Sequence, residues 1–350
     1  MGVVPLFLHD RQGVDPLVAQ VRDRPSCQRA ALLHADFLEG ERELPAGQRG
    51  VEEPQRSRRQ HTGTRSYTPP MSLKGCRIAT VGSGVMAEAM IAGLLRGGEV
   101  SADQIVASHP RADRRAQLAR DHGIRAVESN ADAVDGADII VLALKPQMLR
   151  RVGPELAPVL RDGQLTISII AGATTRALSN VLRHRQIVRS MPNTPAQLGK
   201  GMTVWYPTPE VTDPQRAQAR SLLGTLGAEL AVEDEKLVGM ATAVSGTGPT
   251  YLFLVMEALI DAAVHLGFPR HIAHDLVIET LEGSALFARA SGLHPAQLRN
   301  MVTSPGGTSA AALHELESGR LRTVLSDAVW AAFRRTEELG RTLEAETADT

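Results

Sequence analysis

The sequence predicts an α/β domain built on a doubly wound, mostly parallel sheet, followed by an all-helical domain. Three observations carry that prediction. Short apolar, β-branched runs alternate with helical patterns as far as about residue 232, as repeated βαβ units require. One of those runs ends in a glycine-rich turn that opens directly into an apolar helix. Beyond Glu233 the runs stop, and apolar residues recur at three- and four-residue spacing to about Leu339.

The first run, Arg77-Ile-Ala-Thr-Val81, is followed by Gly82-Ser-Gly-Val-Met-Ala87 and an apolar helix through Leu95. This strand–turn–helix order is the dinucleotide fingerprint. Gly82 permits the tight turn, Gly84 lets the backbone approach a pyrophosphate, and Ala87 is small enough for helix and strand to pack closely. The next strand, Gln104–Ser108, ends at Ser108, His109, Pro110 and Arg111. An NAD enzyme places an acid there for the ribose 2′-hydroxyl. Hydroxyls and a cation favour the 2′-phosphate of NADP instead, although Arg111 also reads as the cap of a solvated helix carrying Arg114 and Arg115. Asp138–Leu144 and Leu165–Ile170 are nearly continuous apolar runs, as parallel strands covered on both faces should be. Their breaks, Lys145-Pro146 and Ala171-Gly172-Ala173, fall at strand carboxyl ends, where open parallel sheets bind ligands. Lys145 is one of only four lysines in the chain, which makes its place after a buried strand less casual. Ile187-Val188 and the turn-rich Met191-Pro-Asn-Thr-Pro195 complete a Rossmann-type domain over residues 71–232.

Helices are expected over Leu237–Val244, Pro249–Leu266, Arg270–Ala290, Ala296–Met301, Thr308–Leu316 and Arg320–Leu339, separated by Gly-Pro, Gly-Phe-Pro and His-Pro breaks. They make residues 233–340 an all-α domain, with 341–350 as a flexible tail. Tyr251–Leu266 is apolar on nearly every side, which for a helix implies burial all round. A subunit interface does that more easily than a small domain, so these helices are expected to build a homodimer.

Composition excludes several classes of function. With 43% hydrophobic residues and a net charge of −1, the chain can bury two cores and has no electrostatic pull toward nucleic acid. Cys27 and Cys76 show no metal-ligand spacing and no evident partner, which fits a reduced, cytoplasmic setting. No uninterrupted apolar run approaches the roughly 18 residues of a membrane span. Residues 1–70 mix Arg, Gln, Glu, Pro and Gly without periodicity, and 48–70 are almost free of aliphatic side chains, so a disordered extension is expected there. Met71 directly precedes the first strand; translation starting there, or a dispensable extension, is the expectation.

The chemistry concentrates in Val302-Thr-Ser-Pro-Gly-Gly-Thr-Ser-Ala-Ala-Ala-Leu313. Pro305, Gly306 and Gly307 hold the chain out of helix, and the helix that follows presents unpaired N–H groups to an anion. Ser304, Thr308 and Ser309 add hydroxyls. Taken alone, such a turn is also an ordinary helix cap. A nicotinamide cofactor demands an electrophile, and the inventory selects among them. After Lys236 there is no lysine to move a proton on oxygen, and His265, His271, His274, His294 and His314 are scattered along helices. A protonated imine needs less acid help, and the product amine can be met by a hydroxyl. A cyclic imine bearing a carboxylate suits the turn.

From Met71 to about Gly340 the chain resembles the pyrroline-5-carboxylate reductases. The resemblance rests on Val302–Ser309 with Ala312-Leu313, Val244-Ser-Gly-Thr-Gly-Pro-Thr-Tyr251, Leu144-Lys-Pro146, Ser190-Met-Pro-Asn-Thr-Pro195 and the Gly82–Ala87 turn, in that family's order. It implies reduction of 1-pyrroline-5-carboxylate to L-proline with NADPH or NADH, dimers made by swapped helices, and larger rings of dimers. It further implies that Val81, Gly82, Ser83, Gly84, Val85 and Met86, with Ala143, Leu144, Lys145 and Pro146, line the cofactor. His109 and Asn130 would lie near the adenosine ribose or its phosphate, joining Ser108 and Arg111 from the strand-end reading above, and Ile169, Ile170 and Ala171 beside the nicotinamide. The substrate set is Ser304, Gly306, Gly307, Thr308 and Ser309, with the Gly307 and Thr308 amides on the carboxylate. The candidate catalytic residues are Thr308 and Ser309, and the Ser309 hydroxyl is the one expected to meet the ring nitrogen. Ser309 stands where the family usually has threonine, so the hydroxyl is kept and a rotamer-restraining methyl is lost. Reduction of another cyclic imine, and a catalytically silent dinucleotide sensor, are the alternative readings.

Overall fold

The structure, a computed structural model, describes residues 73–348. The expected extension over 1–70 and the start at Met71 lie outside the described residues. In order come β1 (Ile78–Val81), α1 (Val85–Gly97), β2 (Ile105–Ser108), α2 (Ala112–His122), β3 (Arg125–Val127), α3 (Asn130–Val134), β4 (Ile139–Leu142), α4 (Leu149–Leu156), β5 (Leu165–Ser168), α5 (Thr175–Leu182), β6 (Ile187–Met191), β7 (Gly201–Pro207), α6 (Asp213–Gly224) and β8 (Gly227–Ala231). The strands form one sheet ordered β3-β2-β1-β4-β5-β6-β7-β8. All neighbours are parallel except β6 and β7.

The apolar runs explain the sheet. Every residue of β1, β4 and β5 is buried, and separate apolar clusters cover the two faces. Chain order reverses between β1 and β4, so the loops after β1, β2, β4 and β5 share one edge at a topological switch point. Three strands carry no such signal. β3 has three residues and begins with exposed Arg125. β8 reads Gly-Ala-Glu-Leu-Ala, a weak strand composition, and lies half outside the core at the sheet's edge. β7 is bounded by Gly201 and Pro207 and runs antiparallel to β6.

The helical part holds α7 (Lys236–Ala241), a π-helical turn (Thr242–Gly246), α8 (Gly248–His265), α9 (Arg270–Ser291), α10 (Pro295–Met301), α11 (Thr308–Ser318) and α12 (Leu321–Thr347). The expected tail at 341–350 is corrected by the structure. α12 continues to Thr347, Leu343 and Thr347 are buried, and Thr174 Oγ1 donates to Glu344 Oε1 at 2.7 Å. That packing against the start of α5 holds the last turns. A second correction concerns apolar length. Lys236–His265 is long and apolar enough overall to cross a membrane. A count of uninterrupted apolar residues misses it because Thr242, Ser245, Pro249, Glu257 and Asp261 break the run. Within one chain α8 leaves Phe253 56% and Leu254 65% exposed and buries only Pro249, so the burial its composition calls for must come from outside the protomer.

Glu235 joins the sheet to this helical part. Its carboxylate receives Arg189 Nη1 from β6 at 2.8 Å, and the Thr175 amide and hydroxyl at 2.7 and 2.6 Å. Both partners of the ion pair are largely buried. Glu235→Ala therefore leaves Arg189 uncompensated, and at fixed protein concentration urea unfolding should show a loss of about 2–3 kcal/mol, below the value for a fully buried pair because Glu235 keeps some water contact. An unchanged unfolding midpoint would contradict this role.

Candidate active site

Strand register sets the site. Val81 is level with Ser108 on one side and Leu142 on the other, and Leu142 is level with Ser168. The segments 82–86, 108–111, 143–146 and 169–171 therefore leave the sheet side by side at one edge. Gly82 takes φ +83°, and a Cβ there would meet the Ala143 carbonyl oxygen at 2.9 Å and Leu144 Cδ2 at 2.6 Å. Only glycine allows β1 to turn this close to the loop after β4. On Gly84 a Cβ would meet nothing within 4 Å, so the side facing out of the turn is open. Among the described residues, the Val85, Met86 and Ala87 amides in the first turn of α1 have no hydrogen-bond acceptor. An open turn, three outward amides and a helix N-terminus fit a pyrophosphate. Gly82→Ala strains the backbone by about 1–3 kcal/mol. Its expected outcome is a lowered thermal midpoint and NADPH fluorescence titration showing weaker binding; unchanged binding would contradict the assignment.

Among the residues expected near the adenosine, Ser108 Oγ donates to Asn130 Oδ1 at 2.7 Å, which ties β2 to α3. Arg111 differs from its expected role as a free cation. It is paired with Asp113 at 2.7 Å, and that guanidinium holds the Asp113 carboxyl below its usual range. The pair is exposed, so a phosphate could displace it at small cost. His109 Nδ1 accepts from the Arg111 amide at 3.2 Å, and burial followed by the Arg111 charge keeps the imidazole below its ordinary range.

In the loop from α10 to α11, Gly306 takes φ +69° and Gly307 caps α11. The Gly307 amide differs from its expected role: it donates to the Ser304 carbonyl at 3.1 Å, closing a local turn. Among the described residues the Ser304, Gly306, Thr308 and Ser309 amides have no hydrogen-bond partner, and the last two stand in the first turn of α11 beside the Thr308 and Ser309 hydroxyls. Hydrogen bonds of this turn are local, and Ser304 to Gly306 are exposed. The structure thus gathers the cofactor candidates at one sheet edge and holds the substrate candidates together on a separate, exposed turn.

Sequence reasoning passed over Arg114, taken as a solvated surface charge. Its side chain is 12% exposed; Nη2 meets Glu88 Oε2 at 2.6 Å, Nη1 meets Gln117 Oε1 at 2.8 Å, and Nε donates to the Ser83 carbonyl at 3.2 Å. His122 Nε2 lies 3.2 Å from the other Glu88 oxygen. Burial alone would raise the Glu88 pKa, but hydrogen bonds from Arg114 and His122 outweigh it and leave the carboxyl below its usual range. Glu88 and Arg114 are 26 residues apart, beyond any local pattern.

Comparison with known proteins adds an independent line. The family described as pyrroline-5-carboxylate reductase dimerisation matches residues 235–339, and that described as NADP oxidoreductase, coenzyme F420-dependent, matches residues 77–172. The pyrroline-5-carboxylate reductase of Pseudomonas aeruginosa is 43% identical over 268 residues, covering 76% of this chain and 98% of the relative. The solved structure of the Coxiella burnetii enzyme is 34% identical with a TM-score of 0.70, covering 75% of this chain and 98% of that one. The Plasmodium falciparum pyrroline carboxylate reductase, solved with NADP bound, is 28% identical with a TM-score of 0.70, covering 76% and 99%.

Proposed function

The chain belongs to the pyrroline-5-carboxylate reductase family, and from that premise we propose that it reduces 1-pyrroline-5-carboxylate to L-proline with NADPH, NADH being the second donor. One observation of this chain carries the reading: the Thr308 and Ser309 amides, pointing outward at a helix start, sit beside a hydroxyl with no competing charged side chain in the turn. Two adjacent amides receive a carboxylate. The Ser309 hydroxyl then faces the ring nitrogen and hydrogen-bonds the amine as it forms.

When bound, the reduced nicotinamide supplies the hydride. The rest is positioning. Val81–Met86 hold the pyrophosphate at the α1 start, Ala143–Pro146 border it, Ser108, His109, Arg111 and Asn130 meet the adenosine ribose and its phosphate, and Ile169–Ala171 back the nicotinamide. Ser304, Gly306 and Gly307 shape the substrate turn. Assembly through the helical face brings such a turn over the cofactor edge; a ring of dimers and a cytoplasmic setting complete the reading, the latter in keeping with free Cys76. Residues 71–232 are the cofactor domain and 233–340 the dimerisation and substrate domain, extended by the end of α12.

A panel of imines tests the substrate. The 5-carboxylate should be reduced fastest, the isomer with the double bond at the carboxylate-bearing carbon at least about tenfold slower, and carboxylate-free 1-pyrroline slower still, since each loses an anchored geometry. Equal rates with and without the carboxylate would overturn the assignment of the turn.

A further inference from the structure

We propose that Arg114 is the positioning residue of the phosphate turn, setting the geometry that both NADPH and NADH meet. The inference rests on the reading that the Gly82–Gly84 turn takes the dinucleotide. Gly82 and Gly84 give that turn its approach, and they also leave Ser83 between two permissive backbones. Ser83 is nonetheless fixed from three directions. Its amide donates to the Ser108 carbonyl at 3.2 Å, its hydroxyl shares a 2.8 Å hydrogen bond with Thr80 Oγ1, and its carbonyl accepts from Arg114 Nε at 3.2 Å. The Ser83 carbonyl belongs to the peptide plane that carries the Gly84 amide, so the guanidinium orients the entry to α1.

The same guanidinium answers an electrostatic problem. Glu88 stands in the first turn of α1, facing the end that must receive two phosphates. An unpaired acid there would repel them. Arg114 and His122 occupy both Glu88 oxygens. The planar fork of arginine reaches Ser83, Glu88 and Gln117 at once, which a lysine ammonium on its flexible stem does not reproduce. Arg111 differs in kind: it is exposed, bound to Asp113, and stands at the strand end assigned to the adenosine ribose and its 2′-phosphate. The two arginines divide the work, one reading a phosphate peculiar to NADPH and the other holding the turn common to both cofactors.

Equilibrium titration of the intact protein with NADPH and with NADH, followed by nicotinamide fluorescence, tests this on Arg114→Met. Both dissociation constants should rise about tenfold, as the loss of a charge-assisted hydrogen bond implies, with their ratio unchanged within about twofold. The KM for the imine should stay within about twofold, with kcat recovered at saturating cofactor. Arg114→Lys, which keeps charge and most of the packing, should raise both constants severalfold and serves if the methionine variant does not fold. Adding Glu88→Gln to Arg114→Met should recover only part of the binding. A rise confined to NADPH, a lowered thermal midpoint with unchanged binding, or full recovery in the double variant would each overturn the proposal. Wild-type binding of NADPH in the same titration checks the underlying reading separately.

Discussion

Replacing Ser309 with alanine is expected to lower kcat about 100-fold, the scale of a positioned proton-transfer group, while leaving the dissociation constant for NADPH unchanged. The separation follows from the structure. Ser309 lies in the first turn of α11, whereas the glycine turn proposed for the dinucleotide opens α1. The Ser309 amide is also one of the two proposed to receive the carboxylate, but alanine keeps the amide, so the loss isolates the hydroxyl. Ser309→Thr restores the methyl that fixes the rotamer and should match or exceed the parent rate. Steady-state kinetics combined with fluorescence titration of NADPH decides the matter. Unchanged turnover in Ser309→Ala would show that this hydroxyl neither donates the proton nor positions the ring nitrogen.

The second large effect belongs to the helical face. Leu252, Phe253, Leu254 and Leu259 of α8 and Ile272, Leu276, Leu286 and Phe287 of α9 are each more than a third exposed within one chain. Leu254→Asp places a charge where the second subunit would bury it, and the dimer should weaken by at least about 100-fold, since an unpaired buried charge costs several kcal/mol. Sedimentation across a dilution series reads this directly, and specific activity should fall along with the dimer. A variant that sediments as the parent does at every concentration would show that α8 faces something other than a second copy.

How much of this was legible in the sequence depends on the range over which each signal acts. β1, β4 and β5 announce themselves because strands buried on both faces are apolar apart from small hydroxyls such as Thr80, Thr166 and Ser168, and the turn at Gly82 is visible because its positive φ favours glycine. β8 was not legible: its residues satisfy an edge, where little is buried and composition is weakly constrained. The end of α12 reads as a polar tail until Glu344 is seen to receive Thr174 and Leu343 to pack beneath it. In the site, the outward amides of α11 follow from a proline–glycine turn before an apolar helix. The Arg111–Asp113 pair was overlooked although the two residues are close in sequence, because each alone fits an ordinary helix start. Arg114 was hidden for the opposite reason: Arg115 beside it also holds a carboxylate and carbonyls, from Glu128, His109 and Pro110, and only the folded chain shows that those of Arg114 come from Glu88 and Ser83 at the start of α1.

Purified protein mixed with NADPH and 1-pyrroline-5-carboxylate should lose the near-ultraviolet absorbance of the reduced nicotinamide and form an equal amount of L-proline, and a repeat with NADH should give the slower rate. Binding of NADPH without its oxidation in the presence of this imine would rule out this reaction.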